Sequence, residues 1–164
     1  MLKKIFIISF FILSWSKSIF AAIDLGVGYS SMTSSQKVPS LLLNIQGSGW
    51  GLDFTSTGYQ SQYDYFSGYS MAYYWTKKNG TFLWRETEGG FGFGGYFTQR
   101  GFRATTTASI ASESDFGIGP AFFMNWNLTS FLFVRMQAML GVGSANNVLL
   151  FFQDASNFSV GVRW

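Results

Sequence analysis

From Asn157 to Trp164 the chain alternates without a break: Phe158, Val160, Val162 and Trp164 are apolar, while Ser159, Gly161 and Arg163 are small or polar. A period of two predicts a strand with two unlike faces. The same pattern recurs along the chain. Ile23–Ser31 sets Ile23, Leu25, Val27 and Tyr29 against Asp24, Gly26, Gly28 and Ser30. Ser40–Gly47 sets Leu41, Leu43 and Ile45 against Leu42, Asn44 and Gln46, and Leu52–Thr57 follows. Tyr65–Thr76 carries Tyr69, Met71, Tyr73 and Trp75 on one face, Glu113–Asn125 opposes Phe116, Ile118, Phe122 and Met124 to Asp115 and small neighbours, and Ser130–Gly143 runs back.

The connections fall into two kinds. Gly47–Gly51, Lys77–Gly80 and Trp126–Thr129 read as tight turns, with Asn79-Gly80 the strongest local hairpin signal. Met32–Pro39, Gly58–Asp64, Gln99–Ser112 and Ser144–Ser156 read as longer loops, the last containing an apolar segment, Val148–Phe152, that could extend either neighbouring strand. In Thr81–Thr98, Phe82 and Trp84 have one parity and Phe91, Phe93 and Phe97 the other, which predicts a bulge between Arg85 and Gly90. A second turn at Gly89-Gly90 is the alternative, and would add strands. The expected fold is all-β: an eight-stranded antiparallel up-and-down barrel, with ten strands as the alternative.

Periodicity does not say which face meets water. The positions opposite the large apolar residues are mostly Gly, Ser, Asn, Asp and Ala, which fit the narrow interior of eight strands, whereas a water-facing exterior would carry many Lys and Glu. The polar set therefore points inward and the apolar set outward, into lipid. Recurrent units such as Leu25-Gly-Val-Gly-Tyr29, Phe91-Gly-Phe-Gly-Gly95 and Phe116-Gly-Ile-Gly-Pro120 lack the helix and acidic residue of a dinucleotide loop. They read as alternate glycines that let a sheet curve.

The alternation, the aromatic final residue and an N-terminal leader together resemble the small bacterial outer-membrane β-barrel proteins of the OmpA- and OmpX-like eight-stranded kind. The resemblance implies that Phe158, Val160, Val162 and Trp164 are a terminal-strand insertion signal read by the barrel assembly machinery. It implies location in the bacterial outer membrane and contact with its lipid and lipopolysaccharide. It carries no specific chemistry.

The leader is read from Met1-Leu2-Lys3-Lys4, the apolar run Ile5–Leu13 and the more polar Ser14–Ser18, a secretory layout whose apolar run is too short to span a bilayer. Residues 1–22 are thus expected to be removed, leaving residues 23–164 as one barrel domain. Lys3, Lys4 and Lys17 lie in that leader, so the remaining eight Lys and Arg balance eight Asp and Glu. A neutral mature chain lacks the electrostatic footprint of a nucleic-acid binder. Charged residues make up 12% and aromatics 20%, far from the composition of a water-exposed surface.

Charge costs most in lipid, so the strand ionisable groups are expected in the lumen: an ion pair Asp24–Arg163 across the first and last strands, with Asp53, Asp115, Arg135 and the polar Asn44, Gln46 and Gln137 beside them. There is no Cys and no His, which leaves no disulfide, no His or Cys metal ligand and no ordinary general base for a Ser. Outer-membrane barrels that are enzymes, among them lipid A deacylases, the phospholipase and the omptin proteases, use His. The expectation is a monomeric, cofactor-free, non-enzymatic integral barrel with a structural or surface-interaction role and a lumen plugged by side chains. A narrow channel for water, ions or small solutes is the first alternative, and a lipid-modifying enzyme the second. Lys37, Arg100 and Arg103 fall in proposed outer loops, where they could meet lipopolysaccharide phosphates. The sequons at Asn79, Asn127 and Asn157 read as turn or strand polarity.

Overall fold

The computed structural model describes residues 22–32, 37–62, 64–102, 111–145 and 148–164. The leader up to residue 21, and Arg103, lie outside them. Alternation becomes eight strands in the described residues: β1 (Ala22–Met32), β2 (Val38–Gln46), β3 (Gly51–Gln60), β4 (Asp64–Phe82), β5 (Arg85–Phe102), β6 (Ala111–Asn127), β7 (Leu132–Ala145) and β8 (Val148–Arg163). Each pairs antiparallel with the next, and β8 pairs with β1, closing the barrel. Closure gives each strand a neighbour on both sides, so the sheet has no edge strand.

The barrel is staggered. Stepping across the sheet from Ala22 through Gln46, Gly51, Tyr74, Gly92, Ala121, Met139 and Ala155 returns to β1 at Met32, ten residues beyond the start. Closure with stagger requires the strands to tilt, typically by about 35–45°. The neighbouring strands β6 and β7 then come very close. A Cβ on Gly119 would lie 2.0 Å from the Leu140 carbonyl oxygen, and one on Gly141 would lie 2.0 Å from that of Ile118. The glycine-rich units thus mark where neighbouring backbones approach too closely for any side chain.

Outward positions are large and apolar on every wall: Val27 is 62% exposed, Leu41 63% and Phe116 51%. Inward positions are small, polar or packed in the core. The inside-outside assignment made from side-chain size is the one the barrel adopts.

Three connections differ from expectation. The β4–β5 hairpin turns at Leu83-Trp84, and Lys77–Gly80 lie within β4. Both turn residues have positive φ, 49° and 61°, which costs bulky residues about 1–3 kcal/mol each. Register explains why this turn wins over Asn79-Gly80. A two-residue turn there would set Glu86 opposite Tyr73 and Glu88 opposite Met71, on the outward face, where Tyr73 and Met71 are exposed. The bulge expected between Arg85 and Gly90 instead lies in β4 at Trp75, between Tyr74 and Thr76. Gly89-Gly90 runs within β5, so neither a further turn nor ten strands results.

The expected long loops are shortened by strand. β5 continues to Phe102 and β6 begins at Ala111, and Val148–Phe152 belongs to β8. A second bulge in β8 accommodates that extension, between the partners of Gly141 and Val142. The Gly47–Gly51 turn closes as expected, with Gly47 N–H donating to the Trp50 carbonyl at 3.0 Å and Gly49 at φ +93°.

Candidate functional site

The ionisable side chains of the strands converge inside the barrel, at the end that carries the three tight turns. Asp24 on β1 and Arg163 on β8 are register partners, and both face inward. The guanidinium takes the carboxylate with two bonds: Nε donates to Oδ1 at 2.7 Å and Nη2 to Oδ2 at 2.9 Å. It also reaches a second carboxylate, Glu88 on β5, with Nη1 to Oε1 at 3.1 Å and Nη2 to Oε2 at 2.9 Å, and the Asn127 amide oxygen at 3.3 Å. Asp24 is fully buried, while Arg163 and Glu88 are 15% and 12% exposed at the rim.

A second charged pair lies deeper. Arg135 on β7 donates from Nε to Asp53 Oδ2 at 3.1 Å, and β3, which carries Asp53, stands on the far side of the barrel. The pair therefore crosses the lumen. Both side chains are buried to within 1%, and Arg135 donates again to Asn125 Oδ1 at 2.9 Å. Its guanidinium carbon stands 3.9 Å from the ring centre of Phe123, which fixes the cation against a π face.

Amides join the two pairs. Gln46 donates to Asp24 at 2.8 Å and to the Asn44 amide oxygen at 2.5 Å, and Asn44 donates to Asp53. Asn125 donates to Glu88 at 3.4 Å. The result is a closed circuit, Glu88–Arg163–Asp24–Gln46–Asn44–Asp53–Arg135–Asn125 and back to Glu88. It draws residues from every strand except β4, which adds the Tyr74 ring 5.7 Å from the Arg135 guanidinium. Isolated buried charge is costly, and here each charge has at least one opposite charge or amide in contact.

Toward the other end, the lumen fills with apolar groups. Tyr74 and Phe123 meet edge to face with centroids 4.6 Å apart, and Met139, Ala121, Ala72, Tyr96, Phe66, Met32 and Val38 are buried with them. A smaller polar group sits among them: Thr55 donates to Gln137 at 3.4 Å, and Asn157 donates to Ser40 at 3.3 Å and to Thr55 at 3.4 Å. A void of about 10 Å³ beside Ser70, Gln137, Met139 and Asn157 has room for a single water.

The lumen set read from the sequence thus separates. Asp24, Arg163, Asn44, Gln46, Asp53 and Arg135 share one circuit, Gln137 belongs to the smaller group, and Asp115 stands apart. Asp115 lies on β6 opposite Thr98, and its Oδ1 is buried without a hydrogen-bond partner. Phe158, Val160, Val162 and Trp164 all face outward, with Trp164 69% exposed. Two circuit members were missed. Asn125 continues the inward parity of Asp115 and was legible, whereas Glu88 was obscured because the bulge was expected beside it.

The chain has the fold of the small eight-stranded outer-membrane barrels. No family model matches it, and neither does any curated protein. Among solved structures it is similar to Neisserial surface protein A, with 13% identity and a TM-score of 0.47 over 87% of this chain and 93% of that one. It is also similar to Ail, the attachment invasion locus protein of Yersinia pestis, with 13% identity and a TM-score of 0.49 over 87% and 97% of the two chains.

In chemical terms the site is a closed circuit of paired charges and amides. No group of His, Cys, Asp and Glu among the described residues could hold a metal. Arg163 serves both Asp24 and Glu88, so its loss strands two carboxylates. The coupling between Asp24→Ala and Arg163→Ala is expected to be about 1–2 kcal/mol, modest because the rim admits water. A double-mutant cycle on urea unfolding in lipid vesicles measures it, and strictly additive losses would deny the pairing an energetic role.

Proposed function

We propose that this protein is a monomeric integral barrel of the bacterial outer membrane, exported through a cleaved leader, whose lumen is sealed and whose role is structural or surface interaction. The observation that carries the reading is the combination of an apolar exterior with the Arg135–Asp53 bridge across an otherwise filled interior. A bilayer accepts strands only when their backbone groups are paired, and closure gives each strand a partner on both sides. Closure also favours the monomer, since no strand edge is left for a partner.

In such barrels the short turns face the periplasm. The turns at 47–50, 83–84 and 128–131 then mark the periplasmic side, and the ends of β5 and β6 beyond the apolar belt are the outer surface. Among the described residues the lumen arginines are already engaged: Arg135 is held by Asp53, Asn125 and Phe123, and Arg163 by three acceptors. Cell fractionation tests the location. The protein is expected in outer-membrane fractions, as a band whose gel mobility shifts on boiling in SDS. Recovery as a soluble periplasmic protein with no such shift would contradict the proposal.

A further inference from the structure

The outward face is built mostly of large side chains, and on the walls formed by β6, β7, β8 and β1 a row of them gives way to short ones. Tyr29, Phe158, Met136 and Met124 stand side by side in one cross-strand row. The next outward row toward the loop end is Ser31, Ser156, Ala138 and Phe122. Short side chains beside tall ones leave a groove of about 460 Å³, walled by Tyr29, Phe158, Met136 and Phe122. The stagger that carries Ala22 round to Met32 makes this row climb toward the loop end as it passes from β6 to β1. The groove therefore rises obliquely from Phe122, inside the apolar belt, and at its upper end meets Lys37, which is exposed.

That geometry has a direction. The lower part offers only hydrocarbon, aromatic faces and two methionines, Met124 and Met136, whose unbranched side chains adapt to an irregular chain. The upper end offers one cation at the level where the belt gives way to the aqueous loops. We propose that the groove seats one acyl chain of a lipid A molecule of the outer leaflet, with Lys37 against its phosphate. The occupant is argued from charge and position: an apolar channel that opens at its outer end on an ammonium fits an anionic lipid whose head lies in the outer leaflet. A lysine held at this level keeps its stem on the apolar wall and its charge in water.

This inference rests on the outer-membrane placement, and the two can fail separately. Fractionation and the boiling shift report the placement, and lipid occupancy of the folded protein reports the groove. The test is native mass spectrometry of detergent-folded protein incubated with bisphosphorylated lipid A, with dephosphorylated lipid A, or with phosphatidylglycerol. One retained bisphosphorylated lipid A per barrel is the expected result, with weaker retention of the other two. Lys37→Ala is expected to weaken retention about fivefold, the scale of one surface lysine against anionic lipid. Ser156→Phe fills the groove and is expected to abolish it, whereas Val27→Phe, lower on β1 beside Leu41 and Val160 and outside the groove lining, leaves it unchanged. Phe at an outward position is what the belt is made of, and Ala138→Leu serves as the second groove-filling variant should Ser156→Phe lose its boiling shift. Retention of lipid A by the folded groove-filled barrel would overturn the site. Unchanged retention by Lys37→Ala, or equal retention of phosphatidylglycerol, would overturn the assignment of its ligand.

Discussion

Arg135→Met is expected to destabilise the folded barrel by about 3–5 kcal/mol, the usual cost of removing one partner of a buried ion pair. The cost comes from what is left behind. Asp53 is fully buried, and without the guanidinium it keeps the Asn44 amide as a side-chain donor but no opposite charge. Asn125 loses the donor to its amide oxygen as well. Met keeps much of the volume and the contact with Phe123, so cavity formation contributes little. The diagnostic comparison is the double variant Asp53→Leu with Arg135→Met, which removes both charges. It is expected to recover most of the loss, because an apolar pair of similar size can replace a buried salt bridge nearly neutrally. Urea unfolding in lipid vesicles, followed by Trp fluorescence, gives all three values. Single and double variants of equal stability would mean that the charges are not the buried, mutually dependent pair described here.

Val27→Arg carries the second large effect, about 2–4 kcal/mol, because Val27 lies in the middle of the outward set of β1 and an arginine there would enter the lipid interior. Depth is the control. An arginine in place of Trp164 is expected to cost only about 0–1 kcal/mol, since at the rim the side chain can reach the aqueous boundary. Val27→Phe is expected to be close to neutral. A soluble barrel would reverse the pattern: Val27→Arg would be harmless on a water-facing wall. The same vesicle assay therefore reads the solvent on the outside of the sheet directly.

Alternation at Ile23–Tyr29, Leu41–Ile45 and Phe158–Trp164 made the strands legible, because a half-buried sheet must repeat every second residue. The size of the intervening residues made the facing legible too. Two features were hidden for one physical reason: register belongs to pairs of strands, and a single strand does not display it. The turn at Leu83-Trp84 violates the local preference that Asn79-Gly80 satisfies, and it wins because the outward face rejects Glu86 and Glu88. With the bulge at Trp75 on β4, β5 keeps one parity throughout, and Glu88 faces inward to Arg163, which completes the circuit. Asp24 and Arg163 could be paired from the sequence because closure fixes which strands meet. The partnership of Arg135 with Asp53 could not, since it joins strands that are never adjacent.

The proposal that the lumen is sealed is tested most directly by recording from the purified, folded protein in planar bilayers. An interior crossed by the Arg135–Asp53 pair and filled by Tyr74, Phe123 and Met139 predicts a flat trace at both polarities, with no stepwise current above that of the lipid alone. Discrete, reproducible conductance steps from heat-shiftable barrels would contradict it, and would make the protein a channel.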